Sequence, residues 1–254
     1  MQTRKTFLEE SNSFNSLNEP LKNLNKKFNI KLIINHQKDS NKNKTPQFFD
    51  YGDNQNITIL ETELITLSKA RNLLLSKGII HFPNANYFFT IDDDIIIHDI
   101  AKFYLELDRL SKSYDFSFAS ASILFEGTDK HFSNYARYFI KDTKPFKIKK
   151  KDHNLILGSA LIFRYDLIHS NFRFDEDLGL GAEFGGSEET DIFLTICEHN
   201  FKCMYFPSLK IYHPKIYDGQ YNFKQMFSYG KGRGYTYKKH LSKNFYFYLF
   251  SFFS

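Results

Sequence analysis

The chain has 254 residues, a mass of 30.1 kDa and a net charge of +5, with 42% hydrophobic and 25% charged residues. That balance argues against wholesale disorder, and the length accommodates a single large core. No leader pattern and no apolar run of about 20 residues stands in the sequence, so the expected location is the cytoplasm, with peripheral attachment to the inner face of the cytoplasmic membrane allowed.

The 29 Phe and 16 Tyr, with no Trp, offer flat surfaces on which a base or sugar ring can stack. A pI near 8.9 permits an anionic partner without choosing among a phosphate-bearing substrate, a nucleic acid and an acidic membrane. Cys197 and Cys203 lack the spacing of a metal or CxxC site and read as reduced core residues.

In chain order, a helix is expected around Ser16 to Lys27, then a buried strand at Ile30 to Ile34 and a polar loop from Gln37 to Gln55. Leu64, Leu67, Ala70, Leu74 and Leu75 fall at helical spacing between Glu61 and Lys77, with Gly78 as the stop. Tyr87 to Ile91 and Ile95 to Ile97 read as strands on either side of three aspartates. A helix from about Asp99 to Ser113 follows, then a strand near Phe116 to Ile123, a basic loop from Lys141 to Lys151 and an apolar strand from Leu155 to Phe163. Another helix starts near Ser187. This alternation predicts an α/β fold with a mixed, mostly parallel sheet flanked by helices, whose ligands bind beyond the carboxyl ends of its strands. Residues 1–220 are expected to form the main domain and 221–254 a basic, aromatic C-terminal segment.

Asp92-Asp93-Asp94 interrupt an apolar stretch, and mutually repelling carboxylates near a core suit a hard divalent cation. A solvated acidic turn is the alternative. In Gly186-Ser187-Glu188-Glu189-Thr190-Asp191, Ser187 suits an N-cap and acids in a first helical turn are favoured by the helix dipole alone. The chemical alternative is a general base that takes a proton from an acceptor hydroxyl. His213 ends an apolar strand at Pro214, either as a structural residue or as an imidazole that completes a Mn²⁺-type shell. Arg71, on a polar helix face, reads as a surface charge or a phosphate clamp.

Taken in order, Ala70-Arg71-Asn72, Phe89 to Asp94, Gly158-Ser159-Ala160, Phe174-Asp175-Glu176 with Gly179 and Gly181, Gly186 to Asp191, and His213 resemble the family 2 glycosyltransferases of the GT-A fold. The resemblance runs from about Thr3 to His240. It implies inverting, single-addition transfer from a nucleotide-sugar, with UDP-sugar as the expected donor, a glycan or lipid-linked acceptor, and Mn²⁺ or Mg²⁺ as cofactor. It implies Asp94, Asp92 and His213 as metal ligands, with Asp92, Asp93, Arg71, Gly158 and Ser159 around the donor. Glu189 matches the catalytic base, Glu188 is the reserve base and an acceptor contact, and Asp191 is a second acceptor contact. A nucleic-acid partner is not expected.

Thr3-Arg4-Lys5 resemble the turn that ends that family's first strand, so most of this strand is expected to be lacking, and Asn35-His36-Gln37 stand where an Asp for the base is often found. The aromatic run Phe245 to Phe253, after the basic Tyr229 to Tyr235, suggests contact with an anionic membrane. Two other functions compete: an inactive homologue serving as a binding subunit, and a nucleotidyltransferase.

Overall fold

Residues 2–3, 32–38, 57–132, 136, 143–214 and 223–241 are described by the computed structural model of the chain. The β-favouring runs assemble into two sheets. Three parallel strands, β1 (Gln2–Thr3), β2 (Leu32–Lys38) and β3 (Ile57–Glu63), form the smaller one in that order. The larger contains β4 (Tyr87–Thr90), β5 (Phe118–Phe125), β6 (Phe146–Lys147), β7 (Leu161–Arg164) and β8 (Cys203–His213), in the order β4-β7-β5-β8-β6. β5 and β8 run parallel, whereas β4 with β7, β5 with β7, and β6 with β8 are antiparallel.

Strand periodicity splits the core between the two faces of the larger sheet. Ala119, Ala121 and Ile123 of β5, Ile162 of β7, and Met204 and Phe206 of β8 point to one side. There they meet helix α2 (Ile100–Ser113) through Ile100, Phe103, Leu107 and Leu110, and also Ile34, Ile91, Ile95 and Ile97. The alternate residues Phe118, Leu161, Phe163, Cys203 and Tyr205 face helices α1 (Leu67–His81), α3 (Tyr165–His169) and α4 (Glu188–Glu198). Helix α5 (Phe223–Leu241) packs outside α4.

The differences from the expected elements have local causes. Glu61 belongs to β3, because Ile57, Ile59 and their neighbours pair along β2, and the helix begins only after the Thr66 cap. Gly78 lies inside α1 and does not stop it: the ring of Phe88 packs where a Cβ would stand. Ile95 to Ile97 form no strand; Ile96 makes one isolated bridge to Tyr212 while Ile95 and Ile97 enter the core. The stretch before Phe163 is two short 3₁₀ turns, Lys150–Leu155 and Gly158–Ala160, which lead into β7. The register of β5 on β8 passes from Ala121↔Phe206 to Ser122↔Lys210, so Pro207, Ser208 and Leu209 bulge from the ladder where Pro207 has no N–H to donate. The expected helix at 16–27, most of the loop at 37–55, Arg4, Lys5 and the run 245–253 lie outside the described residues.

Gly78→Ala would ordinarily favour a helix by about 1 kcal/mol. Here the added methyl meets the Phe88 ring, itself stacked on Tyr165, and the expected outcome is a loss of about 1–3 kcal/mol, read as a lower urea midpoint.

Candidate active site

The turn after β4 carries the three aspartates, closed by a hydrogen bond from the Ile95 N–H to the Asp92 carbonyl. Arg71 reaches it from the middle of α1, where the chain buries the side chain to 3% exposure. One guanidinium nitrogen donates to Asp92 at 2.9 Å and the other to Glu188 at 2.8 Å. Burial works against the Arg71 charge, but Asp92 and Glu188 more than offset it and raise its pKa. Ser159 Oγ donates to the second Asp92 oxygen at 2.8 Å. Burial also opposes the Asp92 charge, yet Arg71 and Ser159 together hold its carboxyl below the usual range. A methyl on Gly158 would sit 2.7 Å from the Arg71 guanidinium, so glycine at 158 makes room for the arginine.

Asp94 points the other way, toward the end of β8. His213 Nε2 lies 3.1 Å from Asp94 Oδ2, and His213 Nδ1 donates to the Pro214 carbonyl at 2.8 Å. Burial lowers the His213 pKa, but the hydrogen bond to Asp94 and that to Pro214 raise it overall. The other Asp94 oxygen, Oδ1, is buried and has no hydrogen-bond partner. Among the described residues no group of three or more His, Cys, Asp or Glu side chains is gathered as a metal shell. Asp94 and His213 nevertheless suit Mn²⁺ or Mg²⁺, because the orphaned oxygen lacks a partner and the Pro214 carbonyl keeps the proton of the neutral imidazole on Nδ1, so that Nε2, beside Asp94, could ligate a cation in place of its hydrogen bond. Such ions commonly take one or two carboxylates and fill their remaining positions with water and phosphate. Asp93 is half-buried in the same turn.

The two adjacent glutamates differ sharply. Glu188 is 5% exposed and committed to Arg71, whereas Glu189 is only partly buried. Burial, and then repulsion from Glu188, push the Glu189 carboxyl up to about 8. Ser187 is the N-cap residue of α4, as expected, but it sits in a left-handed conformation (φ 69°) and its side chain makes no cap hydrogen bond. Asp191, expected at the acceptor, is 2% exposed, and both its oxygens are engaged by α5: Lys239 Nζ at 3.0 Å and His240 Nε2 at 2.9 Å.

Asn72 clamps the loop beneath the site, donating to the Phe174 carbonyl and accepting from the Phe174 N–H, both at 2.9 Å. Ser68 adds a bond to the Leu178 carbonyl at 2.7 Å, and Phe174 in turn lies under the Arg71 guanidinium. Lys239 and His240 were not singled out from sequence. Three glycines in α5, Gly230, Gly232 and Gly234, disfavour a helix reading; the absence of any acid from its 19 residues was the available signal.

Replacing Arg71 with Met leaves Glu188 buried and Asp92 half-buried without their cation. The expected cost is about 3–5 kcal/mol in urea unfolding, against little change for Asp94→Ala at its half-exposed position.

No protein-family model matches the sequence, and no curated protein matches it. Solved structures do. TarS 1–349 of S. aureus superposes with a TM-score of 0.60 over 96% of this chain and 72% of that one, at 13% identity. The mannosyltransferase PcManGT from Pyrobaculum calidifontis, in complex with GDP-Man and Mn²⁺, gives 0.59 over 96% and 63%, at 12% identity. GalNAc-T7 with UDP, GalNAc and Mn²⁺ gives 0.55 over 86% and 43%, at 13% identity. At such identities the likeness concerns the fold, and the fold of this chain is that of the GT-A glycosyltransferases.

Proposed function

We propose that the chain is a metal-dependent glycosyltransferase that moves a sugar from a nucleotide-sugar, a UDP-sugar, to a hydroxyl of a glycan or lipid-linked acceptor with inversion, in bacterial surface polysaccharide synthesis. The observation that carries this reading is the Arg71 guanidinium, which holds Asp92 of one acidic motif and Glu188 of the other within a single side chain's span. The nucleotides and Mn²⁺ bound by PcManGT and GalNAc-T7 support the donor and cofactor.

Asp94 and His213 would hold Mn²⁺ or Mg²⁺, which would supply positive charge to offset that on the departing diphosphate. Arg71 and Ser159 fix the Asp92 carboxylate in place at the donor side of the turn. Asp93 and the Gly158-Ser159 turn border the donor. Glu189, ionised, accepts the proton of an acceptor hydroxyl as its oxygen bonds to the anomeric carbon and the bond to the diphosphate breaks on the opposite face. Glu188 anchors that turn through Arg71 and is the reserve base. Peripheral contact with an anionic membrane fits Phe223, Met226 and Phe227, which stand exposed on α5 beside Lys224. None of the described helices is long and apolar enough to cross a membrane.

Incubated with UDP-sugars and Mn²⁺, the chain is expected to release UDP, and Asp94→Ala to abolish metal-dependent release at an unchanged melting temperature; full activity in that variant would overturn the metal assignment. Binding of UDP and Mn²⁺ in calorimetry with no turnover on any acceptor would favour the binding-subunit reading. Glu189→Gln should lower kcat by about 10²–10⁴-fold. Because the folded carboxyl keeps its proton up to about 8, while the unfolded one loses it near the usual value, Glu189 stabilises at low pH and that contribution is lost as pH rises toward 8. Glu189→Gln should therefore raise the urea midpoint more at pH 9 than at pH 5.

A further inference from the structure

Helix α5 is bound to the first turn of α4 more tightly than packing alone requires. Asp191, two residues after Glu189, is buried with both oxygens occupied by Lys239 and His240. His240 Nδ1 meets Glu198 at 2.9 Å, so a single imidazole joins the first and last turns of α4. Lys239 also reaches Asp175 at 2.7 Å, in the loop that Asn72 pins below Arg71. About two turns earlier, Gly232 passes so close to the Gly186 backbone that no Cβ fits between them. Gly186 leads into the left-handed Ser187 and then Glu188-Glu189.

We infer that Lys239 and His240 are positioning residues for the Glu188-Glu189 turn, holding Asp191 and through it the start of α4 where Glu189 can reach an acceptor hydroxyl. The inference rests on Glu189 being the base. Three acids crowd this turn, Glu188, Glu189 and Asp191. Arg71 compensates Glu188, and Lys239 with His240 compensates Asp191, which leaves Glu189 as the acid without a cation at contact distance among the ion pairs of the turn. Removing a cation from Asp191 frees the turn to shift toward solvent, and a displacement of about 1 Å at a base is costly to the rate.

The test uses the full chain carrying Lys239→Gln, His240→Gln or Lys239→Arg, all of which retain a hydrogen-bond donor and so favour folding. The first two are expected to lower kcat on the order of tenfold or more at a nearly unchanged donor KM, and Lys239→Arg to recover most of it. Amide hydrogen exchange over residues 186–191, followed by mass spectrometry, should speed up in the first two variants and not in the third. Wild-type kcat in folded Lys239→Gln and His240→Gln, or unchanged exchange over 186–191, would overturn the inference. If the wild-type chain transfers no sugar, the functional reading fails, and the exchange result alone decides whether α5 holds this turn.

Discussion

A buried guanidinium bridging two carboxylates from distant parts of the chain is the constraint on which the site depends. Arg71 and Asp92 are 21 residues apart and Arg71 and Glu188 are 117 apart. Arg71 and Glu188 are almost wholly buried and Asp92 is half-buried, so taking the guanidinium away would leave carboxylates without a cation in poorly solvated surroundings. The arrangement therefore fixes the β4 turn against α4 without a ligand. Around it the chain is shaped to fit: Gly158 leaves the space, Ser159 takes the remaining Asp92 oxygen, and Phe174 provides a ring face under the cation.

That network also divides labour between neighbours that look alike in sequence. Asp92 and Asp94 are two residues apart, but one is drawn inward by Arg71 while the other faces His213. Glu188 and Glu189 are adjacent, but among the described residues only the first is in an ion pair. Helix geometry accounts for the second pair, since successive residues on a helix project about 100° apart and a single partner cannot serve both. The carboxyl left over feels burial and repulsion together, and its proton affinity rises toward neutrality, where proton transfer is most useful.

Much of this was legible in the sequence. Apolar periodicity located β4, α2, β5 and α4, and charge in apolar surroundings marked Asp92 to Asp94 and Glu188 to Glu189. Spacing could not reveal that Arg71 is buried, because α1 presents little apolar contrast around it: Ser68, Arg71 and Asn72 are all buried through hydrogen bonds to distant segments. Nor could it show that both Asp191 oxygens are engaged by α5, since that depends on a helix whose three glycines speak against helix formation, only Gly232 being used for close approach. β3 was missed because Thr58, Glu61, Thr62 and Glu63 dilute its apolar alternation, and its pairing with β2 is a tertiary fact.

The bulge at Pro207 to Leu209 also acts as a counter. Beyond it the ladder places His213 opposite Phe125, and side chains along a strand alternate between faces. Were the register to take up one residue of the bulge, so that Leu209 met Ser122, Tyr212 would stand opposite Phe125 and His213 would turn to the other side of the sheet, away from Asp94. The length of this small swelling, far from the carboxylates in sequence, thus decides which side chain of β8 meets Asp94: the residues within it carry no contact to the aspartate, but their number aims the histidine.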